Sequence, residues 1–422
     1  MLLTEAPPLA VAEAQRRILA RIRTLPPERV ALSAALGRVL AEPLPARGDL
    51  PPWDNSAMDG YAVRAAEVAA GVALTVALDL PAGAPAGVTL PPASAARIMT
   101  GAPLPDGADA VVPVELTEGP TGEGSFARVG ERVRFMAGVE PGSHVRRRGE
   151  DVRAGTIAVP PGAACGAAEL AMAATTGHAM LAVVGRPKVA IVSTGDELVD
   201  VDQAGAPDRI VNGNAYGLAA QVTIAGGEAW KLPIVPDDHD ATVAAIEEAL
   251  SADAVITIGG VSVGERDHVR RALAQSGVEL AFWRVAVRPG GPFAFGTAAD
   301  GRAVFALPGN PVSAHVTFEL FARPALRRMA GHARCFRRPF RARLAEAVVP
   351  HAEKALYLRG HLSEDAGGWR VATTGPQGSG VLSSLVAADC LIVVPPGAGT
   401  LAAGAGVDVL PLAESAFDTE EP

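Results

Sequence analysis

Residues 253–267 read D-A-V-I-T-I-G-G-V-S-V-G-E-R-D, and this stretch is the strongest indication of the fold. The apolar run at 254–258 is short and rich in β-branched residues, which predicts a strand buried on both faces of a parallel sheet. Gly259 and Gly260 end the strand, and a loop at 261–265 leads into a helical segment at 266–276. Backbone N–H groups and a helix N-terminus there favour a bound phosphate. Asp267 stands at the same position, and two negative groups side by side need a cation between them. We expect a divalent cation there, with Mg²⁺ as the first candidate.

The segments on either side of this strand continue as an alternation of strands and helices. Strands are predicted at 189–193, 229–235 and 254–258, and each precedes a helix, at 214–225, 241–250 and 267–276. Further strands are predicted at 280–287, 293–296 and 304–307, before a helix at 312–329 that Asn310 caps and Pro311 opens. This alternation predicts a parallel sheet covered by helices on both faces.

The rest of the chain has other patterns. A helix is predicted at 9–23, a second short helix near 32–40, and a third at 166–176. Strand-like pieces at 73–80, 95–99, 110–116 and 128–135 predict a small β-rich domain. After residue 335 only strand-like pieces recur, at 341–348, 355–361, 369–373 and 390–394, which indicates a small β-barrel.

These patterns predict an α/β multidomain protein, because 422 residues exceed what one hydrophobic core usually holds. Residues 1–50 and 141–180 are assigned to an N-terminal helical and extended linker region, whose first helix is free to pack on the α/β domain. Residues 51–140 form the β-rich insert domain, 181–331 the central parallel-sheet α/β domain, and 332–422 the C-terminal β-barrel domain.

The composition argues against several classes of function. With a net charge of −9, the chain has no surplus of Lys and Arg to neutralise nucleic-acid phosphates, so no nucleic-acid partner is expected. No apolar run approaches the roughly 20 residues of a membrane span, and no basic stretch followed by an apolar one begins the chain. Three scattered cysteines form no disulfide framework. A cytoplasmic protein without a membrane partner is predicted.

Polar residues follow three predicted strands of the α/β segment. The first strand leads into S-T-G-D-E at 193–197, the second into Asp237 and Asp238, and the third into the glycine loop with Asp267. Each carboxylate alone is typical of a helix cap or a solvated loop. Because ligands bind beyond the carboxyl ends of parallel strands, the three together favour a site for Mg²⁺ and a phosphorylated ligand.

Two further loops give the same sheet edge an anion-binding character. R-P-G-G-P at 288–292 and L-P-G-N-P-V-S at 307–313 follow strands, and the second leads into a helix N-terminus that suits an oxyanion. The alternative is a pair of tight turns whose prolines and glycines only set backbone angles. Neither a P-loop lysine motif nor G-x-G-x-x-G occurs, which disfavours ordinary ATPases and dinucleotide enzymes. The eight histidines show no metal-ligand spacing.

A series of motifs in order along the chain resembles one family, that of MoeA and the gephyrin E domain, the molybdopterin molybdenumtransferases. The motifs are D-N-S-A-M-D-G-Y-A (54–62), R-I-M-T-G-A-P-L-P (97–105), R-R-R-G-E-D (146–151), S-T-G-D-E-L (193–198), G-G-V-S-V-G-E-R-D (259–267), P-F-A-F-G (292–296), L-P-G-N-P-V-S (307–313) and T-G-P-Q-G-S-G (374–380). Single motifs of this kind are weak signals, whereas the ordered set is specific and covers nearly the whole chain.

The resemblance implies the last step of molybdenum cofactor synthesis. Proteins of this family bind adenylylated molybdopterin, cleave its pyrophosphate bond with Mg²⁺, release AMP and insert molybdate at the dithiolene. It implies a MogA-like α/β domain that binds the pterin nucleotide. The implied catalytic residues are Asp59, Thr100, Glu197, Asp238 (with Asp237 as the alternative) and Asp267, and the implied metal ligands are Asp196, Glu197 and Asp267.

Substrate-binding residues are expected on the same loops and in the C-terminal domain. They are Ser193, Thr194, Gly195, Gly259, Gly260, Ser262, Arg288, Pro308, Pro311, Ser313, Arg359 and Ser379. The last two are candidates for contacts with molybdate, because an arginine fork and a hydroxyl suit a tetrahedral oxyanion. Where family members often read K-P-G-K-P, this chain has Gly291 in place of the second basic residue, which bears on molybdate affinity and metal preference.

The family also implies an elongated homodimer whose site lies between subunits, with the loops at 50–105 facing the partner's α/β domain. The molybdopterin adenylyltransferase and molybdoenzyme chaperones are the protein partners it suggests. Two other functions stay open, a gephyrin-like dimeric binding scaffold and a molybdopterin adenylyltransferase. Carboxylates at Asp59, Glu197 and Asp267 favour the molybdenumtransferase over the scaffold, because a scaffold has no need of them.

Overall fold

The computed structural model describes residues 7–260, 268–397 and 399–412. The chain divides into two compact units, one of residues 29–36 and 42–182 and the other of residues 1–28, 37–41 and 183–422. The first unit contains the predicted β-rich domain, and the second contains both the α/β domain and the C-terminal β-domain. The finer division into four domains stays a prediction.

Helix α1 (Val11–Leu19) belongs to the second unit and buries Ala14 and Ile18. The elements that follow are β1 (Pro27–Ala31), a 3₁₀ turn (Leu32–Ala34), β2 (Leu44–Pro45), β3 (Asn55–Ser56), β4 (Gly60–Val63), a 3₁₀ turn (Ala65–Glu67), β5 (Ala73–Leu80), β6 (Ser94–Ile98), β7 (Ala110–Pro113), a 3₁₀ turn (Val114–Leu116), β8 (Thr117–Gly119), β9 (Gly122–Glu123), β10 (Arg132–Phe135), β11 (Val145–Arg146), β12 (Ile157–Val159), α2 (Ala167–Thr175) and β13 (Met180–Val184).

Seven strands of the first unit form one mixed sheet in the order β7-β4-β6-β5-β10-β8-β9. One of its faces packs around Tyr61, Val76 and Phe135, all fully buried. The prediction of a short helix near 32–40 is wrong, because only a single 3₁₀ turn forms there. Gly37 adopts φ +73°, a left-handed conformation that does not continue a helix.

The α/β part of the second unit follows the predicted alternation. Its elements are β14 (Lys188–Ser193), β15 (Leu198–Val199), a 3₁₀ turn (Val201–Gln203), β16 (Ile210–Val211), α3 (Gly213–Ile224), β17 (Glu228–Lys231), α4 (His239–Ala249), β18 (Ala254–Ile258), α5 (His268–Gln275), β19 (Glu279–Trp283), β20 (Val287–Arg288), β21 (Ala294–Thr297), β22 (Ala303–Leu307), α6 (Pro311–Thr317), a π-helical turn (Phe318–Ala322) and α7 (Arg323–Met329).

The sheet order is β17-β14-β18-β22-β21-β19, and β18 is buried along its whole length between two parallel neighbours. Helices α1, α3, α6 and α7 contribute to the core on one face, and α4 and α5 contribute to the core on the other. The predicted strand at 254–258 and its double-sided burial are confirmed.

One strand departs from the parallel arrangement that the alternation predicts. Strand β21 runs antiparallel to both β22 and β19. The connection at 298–302 joins β21 to β22, and it is too short for a parallel crossover, which needs about a dozen residues or more.

The helix predicted at 312–329 is interrupted by the π-helical turn between α6 and α7. Glu319 lies in this turn and is buried. Its Oε1 is 2.5 Å from Arg337 Nε and 3.5 Å from Arg323 Nε. Arg337 belongs to the segment that leads to the C-terminal domain, so the buried ion pairs tie that segment to the α/β domain.

The elements of the C-terminal domain are β23 (Phe340–Leu344), β24 (Ala355–Asp365), β25 (Gly368–Thr373), α8 (Ser383–Val386), β26 (Cys390–Val394) and β27 (Gly406–Pro411). Its strands form a closed five-stranded barrel, which confirms the predicted β-barrel. Strand β24 pairs with both β25 and β26, so the order β24-β25-β23-β27-β26 closes on itself. Strand β20 also pairs with β24 and joins the barrel to the α/β domain.

No helix in the described parts of the chain is long and apolar enough to cross a membrane.

Candidate functional site

A cavity of about 560 Å³ opens at the carboxyl ends of β14, β18 and β22. Its volume suits a small organic ligand, and its position is where open α/β sheets bind them. The structure brings together here six of the residues predicted from sequence: Thr194, Glu197, Gly259, Gly260, Pro308 and Pro311. Leu382 from the barrel domain completes part of the lining.

The backbone after β18 approaches its neighbours closely. The Gly259 N–H donates to the Leu307 carbonyl at 3.1 Å. A Cβ on Gly260 would stand 2.3 Å from Val269 Cγ2, and the φ of this residue is +63°. Only glycine fits both the close approach to Val269 and the positive φ. This wall of the cavity is therefore made of backbone atoms. Ser262 and Asp267 lie outside the described residues.

Glu197 places a carboxylate in the cavity, and Gly195 leaves the space for it. A Cβ on Gly195 would lie 2.6 Å from Glu197 Oε2. Among the described residues, the Glu197 side chain has neither a hydrogen-bond nor an ion-pair partner, and it is exposed. An unengaged carboxylate next to a backbone-lined cavity is suited to a cation or a donor group of a ligand.

Two other predicted carboxylates are already engaged within the protein. Asp196 Oδ1 accepts the Asp237 N–H at 3.0 Å, which joins the loops after β14 and β17. Asp238 is the N-cap of α4 and accepts the Ala241 N–H at 2.9 Å. This is the helix-cap alternative considered for Asp238, and neither carboxylate is among the described groups that line the cavity.

Ser193 also lies apart from the lining. Its side chain is 1% exposed, and its Oγ has no hydrogen-bond partner in the described parts of the chain. Ser313 is buried as well, and its carbonyl accepts the Thr317 hydroxyl at 2.7 Å. Both residues therefore support the loops from behind rather than present a side chain to the cavity.

The N-terminus of α6 is capped in an unexpected way. Asn310 is the N-cap, but its side chain makes no capping hydrogen bond. The Val312 N–H donates instead to the carbonyl of Ser379 in the barrel domain, at 3.0 Å. Because the first helical residue is Pro311, which has no N–H, and the Val312 N–H is already engaged, neither of the first two helical residues offers an N–H to an oxyanion.

Arg359 is fully buried in the barrel and holds the loop that carries Ser379. Its Nε donates to Ser384 Oγ at 3.0 Å and its Nη2 to the Gly378 carbonyl at 3.1 Å. Burial lowers the pKa of Arg359. The Nη1 atom is buried, and none of the residues that the structure describes is its hydrogen-bond partner. In this conformation Arg359 orders the loop and is not exposed to a ligand.

Arg288 does not join these groups. It is exposed, lies on β20 and pairs in register with Leu356 of β24. Among the described residues that line the cavity, only Pro292 comes from the R-P-G-G-P loop.

In the first unit, the predicted site residues Asp59 and Thr100 contact each other. Asp59 Oδ1 accepts the backbone N–H of Thr100 at 2.7 Å and its hydroxyl at 2.8 Å. The backbone bond, followed by the hydroxyl bond, lowers the pKa of Asp59. Both residues are exposed, so the carboxylate is ionised, oriented and accessible.

Three of the family motifs meet around this pair. The Ser56 N–H donates to the Ala102 carbonyl at 3.0 Å. Asp54 accepts the Arg148 N–H at 2.8 Å and pairs with the Arg147 guanidinium at 2.7 Å. The basic run at 146–148 therefore orders the motif at 54–62, a role that sequence reasoning missed although both motifs were recognised.

Two asparagines that line the cavity were also missed. Asn212 and Asn214 follow β16, and Asn214 Nδ2 donates to the Gly309 carbonyl at 2.7 Å. The sequence V-N-G-N at 211–214, which runs into the start of α3, is the only signal for them.

Comparisons with known proteins find matches to three successive parts of the chain. Residues 9–177 match the model described as MoeA N-terminal region (domain I and II), 190–328 match the probable molybdopterin binding domain, and 341–412 match the MoeA C-terminal region (domain IV). Molybdopterin molybdenumtransferase 2 of Mycobacterium tuberculosis is 39% identical over 413 residues, which cover 95% of this chain and 98% of the relative.

Two further comparisons agree. The molybdopterin molybdenumtransferase of Nostoc is 38% identical over 395 residues, which cover 91% of this chain and 88% of the relative. The crystal structure of the molybdopterin biosynthesis MoeA protein from Pyrococcus horikoshii matches with a TM-score of 0.80 and 28% identity, over 96% of this chain and all of that one. The chain therefore belongs to the MoeA family, whose relatives named here are molybdopterin molybdenumtransferases.

Proposed function

We propose that this protein is a molybdopterin molybdenumtransferase, which inserts molybdate into adenylylated molybdopterin and releases AMP in an Mg²⁺-dependent reaction. The observation that carries the proposal is the cavity at the sheet edge, where a glycine backbone wall meets Glu197, whose carboxylate has no partner among the described residues. The names of the relatives supply the substrate class.

The chemistry of this cavity suits a pyrophosphate-containing substrate. Backbone close to Gly259 and Gly260 leaves room for phosphate oxygens, and Pro308 and Pro311 line the cavity from the neighbouring loop. A cavity with this lining holds and orients a substrate while keeping bulk water from most of its surface. Cleavage of the pyrophosphate bond then depends on stabilising the charge that develops on its oxygens.

The residues present fit Mg²⁺ as part of a complex with the substrate. In the described parts of the chain no three or more His, Cys, Asp or Glu side chains are grouped to hold a metal. Mg²⁺ commonly binds through one or two carboxylates together with substrate phosphates and water. Glu197 is the described carboxylate in position to serve, and Asp267 is the second predicted ligand. Bound there, Mg²⁺ supplies charge neutralisation on the phosphate oxygens.

The loop of the barrel domain that carries Ser379 is the proposed binding site for molybdate. The carbonyl of Ser379 is held against the N-terminus of α6, and Leu382 lies in the cavity wall. The Ser379 hydroxyl remains the proposed contact for the oxyanion, and Arg359 holds its loop. The homodimer, the cytoplasmic location, the adenylyltransferase partner and the molybdoenzyme chaperones are parts of the same proposal that rest on the family resemblance.

A turnover assay tests the proposal directly. Purified protein is incubated with adenylylated molybdopterin, molybdate and Mg²⁺, and AMP is measured by chromatography. We expect AMP release that requires both molybdate and Mg²⁺. Binding of the substrate without AMP release would instead support the scaffold function. Formation of adenylylated molybdopterin from molybdopterin and ATP would assign the preceding adenylyltransferase step.

A further inference from the structure

Two histidines that are distant in sequence lie beside each other at the starts of α4 and α5. His239 is the first residue of α4 and His268 the first described residue of α5, and their ring centroids are 6.4 Å apart. In each ring the Nδ1 atom is buried and has no hydrogen-bond partner among the described residues. A single orphaned ring nitrogen is commonly explained by a water molecule. Here two such nitrogens lie on neighbouring rings.

The hydrogen bond at the other side of His239 fixes its tautomer. His239 Nε2 lies 2.9 Å from Gln275 Oε1. The amide oxygen can only accept, so Nε2 carries the proton of the neutral ring and Nδ1 keeps a free lone pair. In histidines that bind metals, one ring nitrogen commonly donates to a carbonyl or carboxylate oxygen, and the other ring nitrogen binds the metal.

We propose that His239 and His268 bind a divalent transition-metal ion of the Zn²⁺ or Ni²⁺ type through their Nδ1 atoms. Imidazole nitrogens suit these ions, whereas Mg²⁺ takes oxygen ligands. Metal–nitrogen distances near 2.1 Å require the two rings to approach by about 1 Å, within the reach of side-chain rotation. No third His, Cys, Asp or Glu of the described residues is grouped with them, so the proposed site has two protein ligands.

The surroundings tolerate the added charge. The positive ends of two helix dipoles oppose a cation, but Asp240 in the first turn of α4 adds a negative charge to the same end of that helix. The bound ion joins the first turns of α4 and α5 and binds the folded chain only. It therefore stabilises the fold, independently of the proposed transferase reaction.

Isothermal titration of the full chain, freed of metal with a chelator and held at pH 7.5, tests the site with ZnCl₂ and with NiCl₂. We expect one site of micromolar affinity and a rise in the melting temperature with either ion. His239→Gln and His268→Gln should each weaken binding at least tenfold, and Gln275→Leu about tenfold, because it removes only the outer hydrogen bond.

His351→Gln is the matched control, since its Nδ1 accepts the backbone N–H groups of Glu353 and Lys354 in the barrel domain. It should leave the affinity unchanged. Circular dichroism confirms that each variant is folded. Absence of binding up to millimolar metal, or affinities in the His239 and His268 variants equal to that of the control, would overturn the site.

Discussion

Glu197 contributes a carboxylate to the cavity that no described protein group engages, whereas Asp196 and Asp238 already accept backbone N–H groups. We expect Glu197→Gln to lower AMP release by about 10²-fold or more, the scale of losing one electrostatic group in a site. Asp202→Asn, a carboxylate in the nearby 3₁₀ turn, is the control and should retain activity. Turnover unchanged in Glu197→Gln would remove this residue from the mechanism.

The Asp59–Thr100 contact leads to a prediction about pH. Hydrogen bonds from Thr100 hold the pKa of Asp59 below its ordinary value of 3.8. A carboxyl whose folded pKa is lowered adds stability above its unfolded pKa, and this contribution is lost as pH falls through the lower folded value. Thr100→Val removes the hydroxyl but keeps the backbone donor, so the pKa of Asp59 should rise part of the way.

Carboxyl-detected NMR titration measures this change. Glu346 is an internal reference, because the side chain and backbone of Thr373 lower its pKa in the same manner in the other unit. Its titration should not move in Thr100→Val. If Asp59 also titrates as before, the hydroxyl bond does not contribute to the shift.

The buried ion pair in the π-helical turn gives a prediction about stability. Arg337 bonds to Glu319, which is 7% exposed and sits in the middle of the helical stretch formed by α6, the turn and α7. Removing one partner of a buried pair leaves an incompletely compensated charge. We expect Arg337→Met to lower the free energy of unfolding by about 3 kcal/mol.

Urea unfolding followed by circular dichroism checks the value. Arg302→Met breaks the Arg302–Asp300 pair, in which both side chains are substantially exposed. Exposed pairs contribute about 1 kcal/mol or less, so this control should change the unfolding free energy little. Equal losses in the two variants would show that burial of Glu319 is not the cause.

The elements were predictable where local sequence decides them. The run at 254–258 predicts β18 because its β-branched residues and the two following glycines leave no competing structure. The orientation of β21, the π-helical turn at Phe318–Ala322 and the capping of α6 by Ser379 were not predicted. Each depends on contacts between distant residues, which no local pattern records.

The candidate site was predictable to the same extent. Strand-end residues such as Thr194 and Glu197 were found because parallel strands place their carboxyl ends at one edge. Whether a carboxylate there faces a ligand or caps a helix depends on one side-chain torsion. The sequence therefore could not decide which of these two roles Asp238 has. The burial of Arg359 follows from closure of the barrel, which spacing alone does not reveal.

At the scale of the whole molecule, the proposed homodimer leads to a prediction about the site. Asp59 and Glu197 belong to different compact units, and the family resemblance assigns them to one site formed by two subunits. Asp59→Asn and Glu197→Gln should each be inactive alone. Mixed and allowed to exchange subunits, they should recover about a quarter of wild-type AMP release, because half the dimers then carry one intact site of two.

Light scattering establishes that the protein is a dimer before mixing, and mass spectrometry of a tagged subunit establishes that exchange has occurred. Two Glu197→Gln preparations mixed in the same way provide the control and should stay inactive. A dimer that exchanges subunits without regaining AMP release would place both carboxylates of a site in the same chain.

The C-terminal barrel looks like a separate module in sequence, since the MoeA C-terminal match starts at residue 341. Strand β20, far upstream of that boundary, is paired with β24, and Ser379 caps a helix of the α/β domain. Substitutions at 307–313 and 374–382 are therefore expected to covary among relatives. A chimaera that exchanges the barrel at residue 341 will carry mismatched halves of one cavity wall, and both loops have to be transplanted together to preserve it.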